Sequence, residues 1–208
     1  MFSIVKRHLL HLSGRPGATD CAADGATDAG ARRDRPERYT RTAIILHWLI
    51  AALVVAMIVL GQVMTEVPRR TPLRGALFNF HKSLGLLVLA LMVIRLAWRI
   101  GHRPPALPMA IPAWNRQLAS LTHGGFYILL LAQPLLGYLA SVFGKYGVKF
   151  FGLALPAWGS DNPAVREPIL AAHQLVADLI VGLIALHLAG VAWHRFGPQP
   201  ELWRRMGR

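Results

Sequence analysis

The sequence predicts an all-α membrane protein, a bundle of four transmembrane helices, from three observations. First, 54% of the 208 residues are hydrophobic and only 16% are charged, whereas charged residues make up about a quarter of a soluble domain. Second, the mean hydropathy is +0.39. Third, the apolar residues form four long runs, and a helix needs roughly 20 apolar residues to cross a bilayer. The runs are continuous and lack the alternation of a membrane β-barrel, so we expect helices.

The four predicted helices make up a transmembrane domain that covers residues 38–197. The runs lie at about residues 43–64, 78–100, 118–142 and 169–194. The connections between them are more polar, basic and rich in proline. Single helices therefore follow one another through the membrane in an up-and-down order.

The two ends of the chain are predicted to lie outside the bundle. Residues 1–37 contain the stretch SGRPGATDCAADGATDAGARRDRPE, which has almost no large apolar residues and is predicted to be a disordered tail. No apolar core with a cleavage site is present there, so we do not expect a signal peptide. Cys21 is the only cysteine, which excludes a disulfide within the chain and covalent haem attachment through CxxCH. Residues 198–208 form a short C-terminal tail.

The net charge of +13 does not indicate nucleic-acid binding, because the basic residues flank the apolar runs instead of forming a separate patch. Lys and Arg in such positions orient a membrane protein and meet lipid headgroups. If the N-terminus is cytoplasmic, thirteen basic residues near the spans lie on the inner side and seven on the outer side. The charge distribution therefore predicts cytoplasmic N- and C-termini.

Histidines recur in the apolar runs at matching depths. His173 and His187 lie 14 residues apart in the fourth run, so they share one helix face within about 40° and are separated by ~21 Å. His47, in the first run, has the depth of His187. His81, in the second run, has the depth of His173. Two opposed histidine pairs are therefore predicted, one toward each side of the membrane.

Two facing imidazoles suit a haem iron that takes one axial ligand from each side. A structural zinc ion would need four ligands, and neither cysteines nor clustered carboxylates lie near either pair. We therefore predict two non-covalent haem groups. Their axial ligands are the pairs His47/His187 and His81/His173.

Glycines support a flat macrocycle in the bundle. Gly61 follows His47 by 14 residues, and Gly137 follows His123 by 14 residues. Each glycine then lies on the face of its histidine at the opposite depth, where it leaves room for the other haem. The alternative is that small residues simply let membrane helices approach. Two further glycines could act in the same way, Gly85 and Gly182.

Two charged residues in the runs need partners. Arg95 follows His81 by 14 residues and could pair with a haem propionate or extend to the lipid headgroups. Asp178 points about 140° away from His173. It could relay a proton, pair with Lys82 or accept a hydrogen bond from another helix, and the sequence does not choose among these roles.

Two more histidines remain open. His194 competes with His187 for the inner pair, but it lies at the end of the run beside Arg195, so His187 is preferred. His123 could be a hydrogen-bond donor to a ligand, a proton carrier, part of a quinone pocket or a structural residue.

The four runs resemble the bacterial cytochrome b561 family over about residues 38–197. RYTRTAIILHWLIAALVVAMIVLG has an HW pair after a basic stretch, and FNFHKSLGLLVLALMVIRLAWR has H-xxx-G and a later IRLAWR element. LTHGGFYILLLAQPLLGYL has H-xxx-Y and P-xx-G, and AAHQLVADLIVGLIALHLAGVAWHRF has two histidines with 13 residues between them. The long N-terminal tail departs from the compact family pattern.

The resemblance implies a cytochrome of the bacterial inner membrane with two b-type haems that exchange electrons with the quinone pool. One type of member is similar to a superoxide oxidase that passes electrons to ubiquinone. The family's ligand positions fall on His47, His81, His173 and His187. Membrane lipids and a quinone are therefore the expected partners. The electron donor, and a second copy of the chain or a redox subunit as a protein partner, stay open.

The expected activity is electron transfer from a donor through the outer haem and the inner haem to a quinone. Whether the protein is an electron carrier or a quinone-linked oxidoreductase is not decided by the sequence. One alternative is the membrane-anchor cytochrome subunit of a hydrogenase- or dehydrogenase-type complex. Another is a metal transporter that uses paired histidines, which would show no haem spectrum.

Overall fold

The computed structural model describes residues 39–102 and 112–196, and the predicted four-helix membrane fold is confirmed. The helices are α1 (Arg41–Glu66), α2 (Pro72–Gly101), α3 (Ala113–Val142) and α4 (Pro163–Phe196). All four are long and apolar enough to cross a membrane. The predicted tails, residues 1–37 and 198–208, lie outside the described residues.

Three helices begin five or six residues before the apolar runs that predicted them, at Pro72, Ala113 and Pro163. These first turns are too polar to belong to an apolar run, and α3 begins without a side-chain cap, whereas α2 is capped. Thr71 Oγ1 accepts a hydrogen bond from Arg74 N at 3.3 Å, and proline is favoured at the first position of a helix. Hydrophobic length therefore predicted the membrane-spanning parts but not the turns that extend beyond them.

Consecutive helices pack against one another, whereas α4 does not pack closely against α1 or α2. A small apolar core joins all four helices at mid-height. Its buried residues are Ile50, Val54, Val88, Met92, Leu130 and Ile180. Large apolar residues on the outer faces, such as Val59, Val93, Ile128 and Leu175, are exposed, as expected where lipid is the solvent.

The connection between α3 and α4 contains a β-hairpin that the sequence did not predict. Strand β1 (Lys149–Phe150) pairs antiparallel with β2 (Leu153–Ala154), with Phe150 opposite Leu153. Phe151 and Gly152 form the turn, and both have positive φ, 45° and 95°. The hairpin packs against α2, and we call the end of the bundle that carries it the hairpin side. The opposite end, where α1 begins and α4 ends, is the terminus side.

The short connection between α1 and α2 is held by one arginine. Arg74 Nη1 donates hydrogen bonds to the carbonyl oxygens of Thr65, at 3.0 Å, and Val67. These carbonyls lie at the C-terminal end of α1, where acceptors have no partner within the helix and a cation is favourable. Arg74 thus fixes the angle at which the chain returns into α2.

Candidate functional site

The structure brings the four predicted histidines together in two facing pairs. On the hairpin side, the ring centroids of His81 and His173 lie 6.4 Å apart with an interplanar angle of 76°. On the terminus side, those of His47 and His187 lie 6.5 Å apart at 71°. All four side chains are half-buried, and the apolar core separates the two pairs.

Both separations fit one iron between two imidazoles. An imidazole nitrogen binds a first-row metal ion at ~2.0 Å, so the centroids of two opposed axial rings lie roughly 6 Å apart. Each pair also spans a side of the bundle where the backbones stand apart, because α4 is not packed closely on α1 or α2. A flat macrocycle needs such a gap. The pairs therefore fit a haem in both spacing and position.

The predicted glycines lie against the hairpin-side pair. A Cβ on Gly137 would lie 3.0 Å from Cε1 and 3.3 Å from Nδ1 of His173, and a Cβ on Gly61 would lie 3.6 Å from Cε1 of His81. Each glycine is thus at the depth that its spacing from a terminus-side histidine predicted. The two further candidates contact neither pair, because Gly85 faces Met57 and a Cβ on Gly182 would meet nothing within 4 Å.

Gln133 orients His173, a role that was not recognised in the sequence. Nδ1 of His173 lies 3.0 Å from the Gln133 carbonyl oxygen, and Nε2 lies 3.2 Å from the Gln133 side-chain nitrogen. A histidine whose Nδ1–H donates to a backbone carbonyl presents Nε2 as its metal-binding atom. The signal that could have found this residue was its position as an amide within an apolar run.

Unsatisfied polar atoms mark both sites. Within residues 39–102 and 112–196, His81 Nδ1, Arg95 Nη1 and Gln133 Oε1 are buried without a hydrogen-bond partner. Such atoms are rare in native proteins and call for an explanation, such as a bound group. They lie on or beside the residues predicted to hold a cofactor.

The Arg95 side chain stays inside the bundle. Its Nε donates to the Tyr127 hydroxyl at 3.3 Å, while the buried Nη1 is one of the unsatisfied atoms. An arginine in a membrane span is costly unless it is paired. A carboxylate ligand would satisfy it, so the geometry fits a haem propionate better than extension to the headgroups.

His123 is a third imidazole on the terminus side. Its ring centroid lies 5.6 Å from that of His187, and its Nδ1 lies 2.6 Å from the Ala119 carbonyl oxygen. His123 lies on α3, which packs directly on α4, so these two rings do not face each other across a gap. The structure therefore favours His47 as the residue opposite His187. Within the described residues, no group of three or more His, Cys, Asp or Glu side chains could hold a metal ion.

Other predicted residues lie apart from the pairs. The Lys82 ammonium donates to the Gly147 carbonyl at 2.8 Å, so it is not the partner of Asp178. Asp178 lies on the exposed surface of α4. His102 stacks on Trp98 beyond the end of α2, with ring centroids 3.9 Å apart. The His194 side chain lies outside the part of the chain that the structure describes.

Known proteins with similar sequences were compared with the chain. A family model described as prokaryotic cytochrome b561 matches residues 38–208. "Cytochrome b561 homolog 2" of Escherichia coli (strain K12) is 30% identical over 172 residues, which cover 82% of this chain and 92% of the relative. "Cytochrome b562" of Cereibacter sphaeroides is 27% identical over 174 residues, 82% and 95% of the two chains. "Probable superoxide oxidase CybB" of Yersinia pestis is 26% identical over 161 residues, 77% and 90% of the two chains.

Proposed function

Because the chain belongs to the prokaryotic cytochrome b561 family, we propose that it holds two haem b groups and passes electrons through them to or from a membrane quinone. Family membership makes it a b-type cytochrome of electron transport, with several spans in the bacterial inner membrane. The observation that carries the finer proposal is the equal spacing of two facing histidine pairs, 6.4 and 6.5 Å.

The proposed axial ligands are His81 with His173 and His47 with His187. When bound, each haem supplies an iron that gains or loses one electron. A haem held by two histidines would favour electron transfer over oxygen binding. On the hairpin side, the Gln133 carbonyl accepts the Nδ1 proton of His173, so Nε2, which here accepts a hydrogen bond from the Gln133 side-chain nitrogen, is the atom that would bind iron.

Arg95 is proposed to hold a propionate of the terminus-side haem. Its free Nη1 is buried, and the hydrogen bond from Nε to Tyr127 fixes the guanidinium plane. A charge-assisted hydrogen bond to a carboxylate is roughly twice as strong as a neutral one. Tyr127 is thus a positioning residue that acts through Arg95.

The apolar core is proposed to insulate the space between the two histidine pairs. The buried side chains at mid-height keep water and protons out of the space between the pairs, so that electrons cross without a proton leak. The pairs lie at the two ends of a ~21 Å rise along α4. Cytoplasmic termini would place the hairpin-side pair toward the outer surface.

Superoxide is the proposed donor, because one relative is named a probable superoxide oxidase and the hairpin side is basic. Lys82 is half-buried there and Lys145 and Lys149 are exposed, which would attract a small anion. Two superoxide anions would each lose one electron and become dioxygen. One quinone would take up the two electrons with two protons from water and become the quinol.

Haem quantification with a reduced-minus-oxidised spectrum tests the proposal. We expect two haem b groups per chain, one lost in His81→Ala and the other in His47→Ala. His102→Ala, outside both pairs, is the matched control and should keep both. A colourless protein, or loss of the same haem in both variants, would overturn the assignment. Reduction of a soluble ubiquinone analogue by superoxide then tests the donor and the acceptor.

A further inference from the structure

Ser83 is a buried polar residue that the proposed function leaves unused. It lies two residues after His81 in α2, and only 2% of its surface is exposed. Its Oγ accepts a hydrogen bond from the backbone N–H of Phe151 at 2.9 Å. The hydroxyl proton lies within reach of two carbonyl oxygens, Asn79 at 2.9 Å and Lys149 at 3.2 Å. One hydroxyl group thus joins α2 to the hairpin.

The hairpin turn needs this support. Phe151 has a φ of 45°, and positive φ is a genuine outlier for a bulky side chain. Such strain persists only where the surrounding contacts hold it, and it is concentrated at functional sites. Ser83 binds the N–H of this strained residue, and the Phe151 ring packs edge-to-face on Phe80 with centroids 6.4 Å apart.

A second contact ties the hairpin to the same turn of α2. The Lys82 ammonium donates to the carbonyl oxygen of Gly147 at 2.8 Å. Phe80, Lys82 and Ser83 therefore all contact the hairpin or the residues that lead into it. Ser83 points about 200° away from His81 around the helix. The hairpin thus holds α2 from the side opposite to the imidazole.

The two ends of the connection that carries the hairpin are joined to each other, just before α4, the helix that carries His173. The backbone N–H of Asn162, just before α4, donates to the Phe143 carbonyl just after α3 at 3.1 Å. α2 and α4 are not packed closely on each other, and the connection that carries the hairpin runs from its contacts on α2 into the start of α4.

We propose that Ser83 is a positioning residue for the hairpin-side haem: it fastens the hairpin to α2 and thereby keeps His81 opposite His173. This inference rests on the proposed haem at that pair. Loosening the hairpin lets α2 move and admits water near the haem. Water stabilises the charge of the oxidised iron, so the reduction potential of that haem falls.

The test is Ser83→Ala in the purified full-length protein with its haems. Ser141→Ala is the matched control, because its hydroxyl donates within its own helix, to the Gly137 carbonyl at 2.8 Å, and within the described residues it makes no hydrogen bond to the hairpin. Trypsin cleavage after Lys149 reports on the hairpin. Potentiometric titration and electron paramagnetic resonance (EPR) report on each haem separately.

In Ser83→Ala we expect cleavage to be roughly fivefold faster, the factor that corresponds to a loss of about 1 kcal/mol. We also expect a lower potential and a changed EPR signal for the hairpin-side haem alone. Ser141→Ala should match the wild type in every readout.

Several outcomes separate this inference from the proposed function. Faster cleavage of the hairpin with an unchanged hairpin-side haem overturns the positioning role. A changed haem with unchanged cleavage also overturns it, and so does an equal effect of Ser141→Ala. Lys82→Met removes the second contact and should change cleavage and EPR in the same direction; if Ser83→Ala does not fold, this variant decides. Wild-type protein without haem refutes the proposed function itself.

Discussion

Gly137 is the position where one added methyl group should disturb a haem site most selectively. A Cβ there would lie 3.0 Å from Cε1 of His173, whereas 3.4–4 Å is ordinary van der Waals contact. The ring would have to move by about half an ångström, but its Nδ1 is held by the Gln133 carbonyl. Overpacking of this kind costs roughly 1–3 kcal/mol. We therefore expect Gly137→Ala to weaken haem binding at the hairpin-side pair by about tenfold or more.

Gly182→Ala is the matched control, because Gly182 contacts neither pair. A Cβ there would meet nothing within 4 Å, and alanine also favours a helix by about 1 kcal/mol over glycine. We expect this variant to keep both haems and to lose them at an equal or higher temperature than the wild type.

The assay for both glycine variants is haem stoichiometry together with thermal loss of the haem absorbance, with EPR to identify which haem is lost. Gly137→Ala should lose the hairpin-side haem first, at a lower temperature than the wild type. Equal behaviour of the two variants, or loss of the terminus-side haem from Gly137→Ala, would refute the reasoning.

Two further variants test Arg95 and Arg74. Arg95→Gln removes the cation proposed to hold a propionate, so the reduction potential of the terminus-side haem should fall. The potential of the hairpin-side haem should stay unchanged in the same titration. Equal shifts of the two potentials would argue against a local role. Arg74→Ala removes the donor to the Thr65 and Val67 carbonyls and should lower the free energy of unfolding by about 1–2 kcal/mol. Its haem spectrum should match the wild type, and loss of haem would contradict a purely structural role.

The outline of the candidate site could be predicted because the helical period relates residues within a single segment. His173 and His187 share a helix, and the 100° turn per residue alone places them on one face. Their partners His47 and His81 followed from depth in the membrane, which hydrophobic length determines. The structure places the same four residues in facing pairs, and their binding of iron stays a prediction.

The contacts that orient these residues could not be predicted, because each depends on how one helix is rotated against another. Gln133 is 40 positions from His173 in the chain, and the hydrogen bonds between them exist only because α3 packs on α4. The hydrogen bond between Arg95 and Tyr127 depends in the same way on the contact of α2 with α3. Neither contact leaves a periodic signal in its own helix.

The sequence alone determines four membrane helices with imidazoles at two depths, because hydrophobic length and helical period are properties of a single segment. Tertiary structure decided which glycine touches His173 and how Ser83 binds a strained turn 68 positions further along the chain. These features need surfaces from separate segments to meet at defined distances. The helices supply the histidines, and their packing determines the distance across which each pair faces.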